Sequence, residues 1–209
     1  METGSLSCFL LASMLLTLSP GPDNVYVLTV GMTRGRREAL WTAFGMCSGV
    51  SVHTAAAALG VSVIFYSSAL AFNALKYLGA AYLLYLAWQA WRSPVSQDVV
   101  AQPVSRSAGA LWRRGVLMNV LNPKVSLFFL AFLPQFVSVD AGSIPWQMML
   151  LGMIFMSQAL IQFAILAWFS AALGRRILAH PVLGGKMNRL TAAVLAVLGL
   201  RLATVTRAL

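Results

Sequence analysis

Asp23 is the one acidic side chain that falls inside an apolar run of this sequence, whereas Glu2, Glu38, Asp98 and Asp140 fall at a terminus or in connections. A carboxylate at membrane depth is costly to keep and points to a function, here holding a cation or carrying a proton. Lys124 follows Pro123 as Asp23 follows Pro22, so the acid and the base stand in matching contexts, Ser19-Pro20-Gly21-Pro22-Asp23-Asn24 and Asn122-Pro123-Lys124. Proline removes an amide donor and disfavours helix in the residue before it, so each segment should interrupt a helix and turn backbone groups inward. The candidate binding residues are therefore Pro20, Gly21, Pro22, Asp23, Asn24, Asn122, Pro123 and Lys124. A half-helix restarting at Asn24 would aim its positive end at a carboxylate. Asp23 would then hold an ammonium or titrate as the proton-coupling group, and Lys124 would hold a carboxylate, matching the two ends of a zwitterion. The plainer alternatives are Asp23 as a helix cap and Asp23 with Lys124 as a structural ion pair.

Other polar side chains fall inside apolar runs. Gln158 and Gln162 are one turn apart and project to one helix face, where they serve either as interhelical glue or as hydrogen-bonding partners of a substrate. Asn119 and Asn122 carry the same two readings. His53 could relay protons, its ordinary pKa being near physiological pH, although a satisfied interior histidine is the better reading. It follows the pair Gly45 and Gly49, with Gly60 further on, a small-residue stripe that suits close helix packing. No H-E-x-x-H, G-x-S-x-G or phosphate-binding loop occurs, and one interior carboxylate is a poor supply of metal ligands. The reading is a non-enzyme with no cofactor and no metal.

These residues need helices across a bilayer to position them. Hydrophobic residues make up 59% of the chain and charged residues 10%, with a mean hydropathy of +0.79, too apolar for a soluble domain. Apolar runs fall at about residues 5–32, 39–68, 70–91, 111–138, 145–173 and 189–206, each near the length that crosses the hydrocarbon. The expected fold is all-α: a polytopic membrane protein of six transmembrane helices, the first and fourth interrupted. The polar stretch from Ser93 to Gly109 divides the single transmembrane domain (1–209) into a first three-helix half (1–92), a linker (93–110) and a second half (111–209). With an odd number of helices per half, related halves must insert with opposite orientation, the inverted-repeat plan.

The net charge of +10 could suggest nucleic acid, but the basic residues sit in short turns between spans, as the positive-inside rule requires. Arg34, Arg36 and Arg37, then Arg92, Arg106, Arg113 and Arg114, then Arg175, Arg176, Lys186 and Arg189 mark three cytoplasmic connections, which places both termini outward. Trp88, Trp91 and Trp112 near those ends read as interface anchors. No Lys or Arg precedes the first apolar stretch, which argues against a cleaved signal peptide. Arg201, in the last helix, either pairs with Asp23 or snorkels to the outer interface.

The runs LSPGPDNVYVLTVGMTRGRREAL, GVSVHTAAAALGV, LKYLGAAYLLYLAWQAWR and LNPKVSLFFLAFLPQFV together resemble the lysine exporter superfamily, in particular its homoserine/threonine exporter branch. The resemblance implies an inner-membrane protein that exports amino acids by proton antiport, with the lipid bilayer, protons and an amino acid as partners. It does not settle the substrate. A lysine or arginine would bring a further positive charge against a single interior Asp23, so a neutral compound such as threonine, homoserine, leucine or a cysteine relative fits better. A passive channel, an exporter of another small solute and a non-transporting subunit are the alternatives. The glycine pair also allows a homodimer.

Overall fold

The computed structural model describes residues 3–19, 21–61, 69–92, 107–138, 141–179 and 181–204, and among these every regular element is helical. The elements are α1 (Thr3–Leu18), α2 (Pro22–Thr33), α3 (Arg36–Ala56, continued by a π-helical turn Ala57–Val61), α4 (Ala69–Arg92), α5 (Ala108–Val120), α6 (Pro123–Leu127, continued through Phe136), α7 (Ile144–Ala179) and α8 (Pro181–Thr204).

They form six columns. Arg36–Gly60 and Ile144–Ser170 are each long and apolar enough to cross a membrane alone. Two further spans are broken pairs: Leu6–Leu18 with Pro22–Thr33, bent by 55°, and Ala108–Val120 with Pro123–Phe136, bent by 51°. Helices α4 and α8, each of 24 residues, reach roughly 36 Å at the α-helical rise, enough for the hydrocarbon core.

The bends fall where proline chemistry puts them. Both restarted half-helices carry proline in the first turn, whose missing N–H has no helical partner there anyway. The second half of column one accordingly begins at Pro22, two residues before the expected Asn24, and its N-cap is Gly21 with no side-chain cap bond. Asp23 is therefore a first-turn residue and not the cap. Pro20, the expected start of the break, lies outside the described residues, as do residues 93–106 of the expected linker.

Column two packs closely along column four, column three along column six, column two along column five, and column one along column five. Exchanging the two halves of the chain leaves these four pairings unchanged, although column one also packs on column two without a comparable contact of column four on column five. The crossing of α3 with α5 is closed by glycine. A Cβ on Gly45 would stand 2.1 Å from Trp112 O, one on Gly115 would stand 2.5 Å from Thr42 O, and one on Gly49 would stand 2.8 Å from the Asn119 side chain. Gly60 has nothing within 4 Å and takes no part. Gly45→Ala should force these helices apart and cost about 1–3 kcal/mol, the usual range for overpacking. A thermal-unfolding midpoint in detergent equal to the wild type would refute so close a crossing.

Two expectations need correction. Trp112 is not simply an interface anchor: it is half-buried and its Nε1 donates to Ser48 Oγ at 3.1 Å across the α3–α5 contact. The basic segment after the fifth span is not a loop either. Helix α7 continues through Arg175 and Arg176 to Ala179, and α8 begins at Pro181. Arginine is a good helix former and proline suits a first turn, so the backbone had no cause to break earlier.

Candidate functional site

Each proline at the breaks leaves the carbonyl four residues earlier without its helical donor. For Pro20 that carbonyl is Leu16 O, for Pro22 it is Leu18 O and for Pro123 it is Asn119 O. Side chains reach all three, and Asn119 O also accepts from Asn122 N at 2.9 Å. Lys124 Nζ donates to Leu16 O at 3.1 Å and to Ser19 O at 3.0 Å. Asn24 Nδ2 reaches Leu18 O at 3.4 Å, with Thr17 O at 3.1 Å and Ser19 O at 3.2 Å. His53 Nε2 lies 3.0 Å from Asn119 O, and since a carbonyl can only accept, Nε2 carries the proton. The histidine thus has a partner, as an interior histidine should, and that partner is the break itself.

Asp23 and Lys124 occupy equivalent places, each directly after the first-turn proline of a restarted half-helix. The positive end of α2 favours a carboxylate there, while the same end of α6 disfavours an ammonium. The ammonium is held by the carbonyl end of α1, where the helix dipole is negative. Gly21 makes room for it: a Cβ there would come 3.1 Å from Nζ. Lys124 therefore ties column four to column one.

Asp23 is 3% exposed, and Lys124, Asn122, Asn119 and His53 surround its carboxylate. Asn122 caps α6, its side chain accepting from Lys124 N at 3.0 Å. Even so, Asp23 Oδ1 and Asn122 Nδ2 have no hydrogen-bond partner, and the same holds for Asn119 Oδ1, Ser19 Oγ, Tyr26 Oη and Gln162 Oε1. Among the described residues these are the buried side-chain polar atoms left unsatisfied. All lie at the two breaks, one turn from them, or on α7 facing them.

Helix α7 places its pair at that level because it runs beside column one in the same direction. Gln158 Nε2 donates to Thr17 Oγ1 at 3.1 Å just before the break, and a Cβ on Gly31, beyond the break, would meet Ser170. Gln162 donates to Gln158 Oε1. The two amides do share a face and a chain of bonds, as their spacing predicts, and the far end of that chain, Gln162 Oε1, is an open acceptor.

Between the breaks and the arginine-poor end, Phe9, Phe128, Phe129, Phe132, Phe136 and Phe155 pack with neighbouring ring centroids 5.0–6.0 Å apart. This aromatic layer joins columns one, four and five on that side. Toward the arginine-rich end, the Arg114 guanidinium lies 4.9 Å from the Tyr26 ring centroid. Both residues escaped the sequence reading. Tyr26 follows Asp23 at helical spacing and could have been found that way, whereas Arg114 was counted as a loop charge. Arg201 is exposed and contacts the Cys8 thiol, so it stays at the surface and not at Asp23. No group of three or more metal-ligating side chains occurs among the described residues.

Helices broken at membrane depth, with an acid, a base and amides converging at the breaks, define a membrane translocator and not an enzyme. The chain belongs to the LysE type translocator family, whose model matches residues 14–206. It is 32% identical over 197 residues to an uncharacterized membrane protein of Vibrio cholerae, a match covering 94% of this chain and 95% of the relative. It is 36% identical over 129 residues to a homoserine/homoserine lactone efflux protein of Salmonella typhimurium (62% of this chain, 63% of the relative). It is also 31% identical over 134 residues to a leucine efflux protein of Klebsiella pneumoniae (64% and 63%). No solved structure matches the chain.

Proposed function

We propose that this protein is a secondary transporter that exports a neutral amino acid across the inner membrane in exchange for protons. One observation carries the reading: the unsatisfied buried polar atoms are gathered at the paired helix breaks around a single carboxylate. Buried polar groups are normally hydrogen-bonded, and a cluster of exceptions calls for a partner that comes and goes. The acceptors Asp23 Oδ1, Asn119 Oδ1 and Gln162 Oε1 suit an ammonium or another donor, and Asn122 Nδ2 offers a donor in return. One carboxylate balances one ammonium, which favours a neutral amino acid over lysine or arginine. The names of the homoserine and leucine efflux relatives agree with that class, although each match spans 63% of the relative's length. The reading includes cytoplasmic basic connections, both termini outward, and a three-helix half on each side of the 93–110 linker.

The test is efflux from proteoliposomes preloaded with labelled threonine, homoserine, leucine, cysteine or lysine, with and without an imposed pH gradient. Gradient-stimulated efflux of a neutral member is expected, with little for lysine. Saturation without any response to the gradient would remove proton antiport. Currents that do not saturate would favour a passive channel, and no efflux of any member from folded protein would overturn the amino acid reading.

A further inference from the structure

We propose that Tyr26 and Arg114 form the carboxylate-binding end of the transport site, and that Lys124, the apparent candidate, does not. The inference rests on the amino acid reading above and assigns the second charge of the substrate.

The ammonium of Lys124 is already engaged. It donates at 3.1 Å to Leu16 O and at 3.0 Å to Ser19 O, close beside Gly21, where a Cβ would come 3.1 Å from Nζ. Turning it to a substrate carboxylate would leave Leu16 O buried without a donor and Ser19 O with Asn24 Nδ2 alone, and an unsatisfied group at this depth is costly.

The next cation toward the arginine-rich end is Arg114 on α5, resting against the ring of Tyr26 on α2. A ring contact holds a guanidinium in place without consuming its N–H groups. With five donors, arginine can grip a carboxylate with two of them and still keep another partner. Tyr26 supplies the independent sign of a missing ligand. It is 7% exposed, and its hydroxyl is buried without a hydrogen-bond partner among the described residues. A buried phenol ordinarily finds one. The same hydroxyl can donate to a carboxylate oxygen.

Spacing agrees as well. Tyr26 lies three residues after Asp23 on the same helix, a rise of roughly 4.5 Å on one face. The ammonium and carboxylate of an α-amino acid sit on one carbon, so the groups that hold them should come from neighbouring positions of one face, as Asp23 and Tyr26 do. Asp23 would take the ammonium and Tyr26 with Arg114 the carboxylate, while Lys124 works as a positioning residue that keeps the break in shape.

The experiment compares wild type, Tyr26→Phe, Arg114→Gln and Arg114→Lys in proteoliposomes. It uses labelled leucine or homoserine, whichever the panel above identifies, and the carboxamide of that same amino acid as competitor. The carboxamide keeps the ammonium and side chain and lacks only the carboxylate charge. Wild type should be inhibited far more strongly by the amino acid than by its amide. Tyr26→Phe should raise KM about tenfold, the scale of one hydrogen bond to a charged group, while its unfolding temperature stays level or rises because an unpaired hydroxyl is gone. Arg114→Gln should raise KM further and erase the preference over the amide, and Arg114→Lys should recover part of it, since lysine lacks the two-pronged fork. A folded Tyr26→Phe with KM within twofold of wild type and an undiminished preference over the amide would overturn the inference, whatever Arg114→Gln does. Absence of any amino acid efflux by wild type would remove the reading it rests on, a different result from wild-type efflux that these variants leave untouched.

Discussion

Lys124→Met is expected to lower the stability of the protein by about 3–5 kcal/mol, the range seen when one partner is removed from a buried charged network, and to abolish efflux with it. Methionine, one atom shorter, keeps most of the side chain's reach and loses its three donors. Leu16 O would then be buried with nothing to bind, Ser19 O would keep only Asn24 Nδ2, and the Asp23 carboxylate would lose the nearby positive charge. Because Lys124 belongs to column four and those carbonyls to column one, the loss falls on the joint between the two broken helices. Thermal unfolding in detergent reads the first effect, and proteoliposome efflux reads the second. Adding Asp23→Asn to Lys124→Met should return only part of the stability, since it removes the lone carboxylate and leaves Leu16 O bare. A Lys124→Met protein that unfolds at the wild-type temperature would mean that the ammonium does not tie the columns together.

The position of the breaks was readable because proline acts locally. Pro22 and Pro123 have no N–H wherever the chain goes, so an interrupted helix follows from the residue itself. Which side chains reach the carbonyls at the breaks is another matter. Lys124 reaches Leu16 across 108 residues, and His53 reaches Asn119 across 66, separations at which no periodicity or motif reports a contact. The pairing of Gln158 with Gln162 was visible because one helical turn brings them together, but their anchor on Thr17 was not. Arg114 shows a different failure. Counting arginines orients a chain in the membrane, yet the same count treats every arginine near a span end as loop charge and conceals one that lies against Tyr26. The ends of α7 and α8 were misplaced for a similar reason, since Arg175 and Arg176 look like a connection by charge and behave as helix by propensity. Membership of the family supports the overall plan, while the division of labour proposed for Asp23, Tyr26, Arg114 and Lys124 is argued from geometry.

Asp23→Asn is expected to reduce gradient-driven efflux by about a hundredfold or more, on the scale of losing a charged hydrogen-bonding group, while costing less stability than Lys124→Met. The contrast with Lys124 follows from what each side chain holds. Asparagine has nearly the shape of aspartate, Asp23 Oδ1 has no hydrogen bond to lose, and Lys124 keeps both of its carbonyls. The fold should tolerate the change, and transport should not. Two modes of measurement then separate the roles open to the carboxylate. If Asp23 binds the substrate ammonium, both gradient-driven efflux and substrate-for-substrate exchange will fail, because binding itself is lost. If it only carries the proton, exchange at equal pH will persist and the response to the gradient alone will disappear. An Asp23→Asn protein with wild-type efflux and wild-type pH dependence would exclude both roles and leave the buried carboxylate as a structural group at the start of α2.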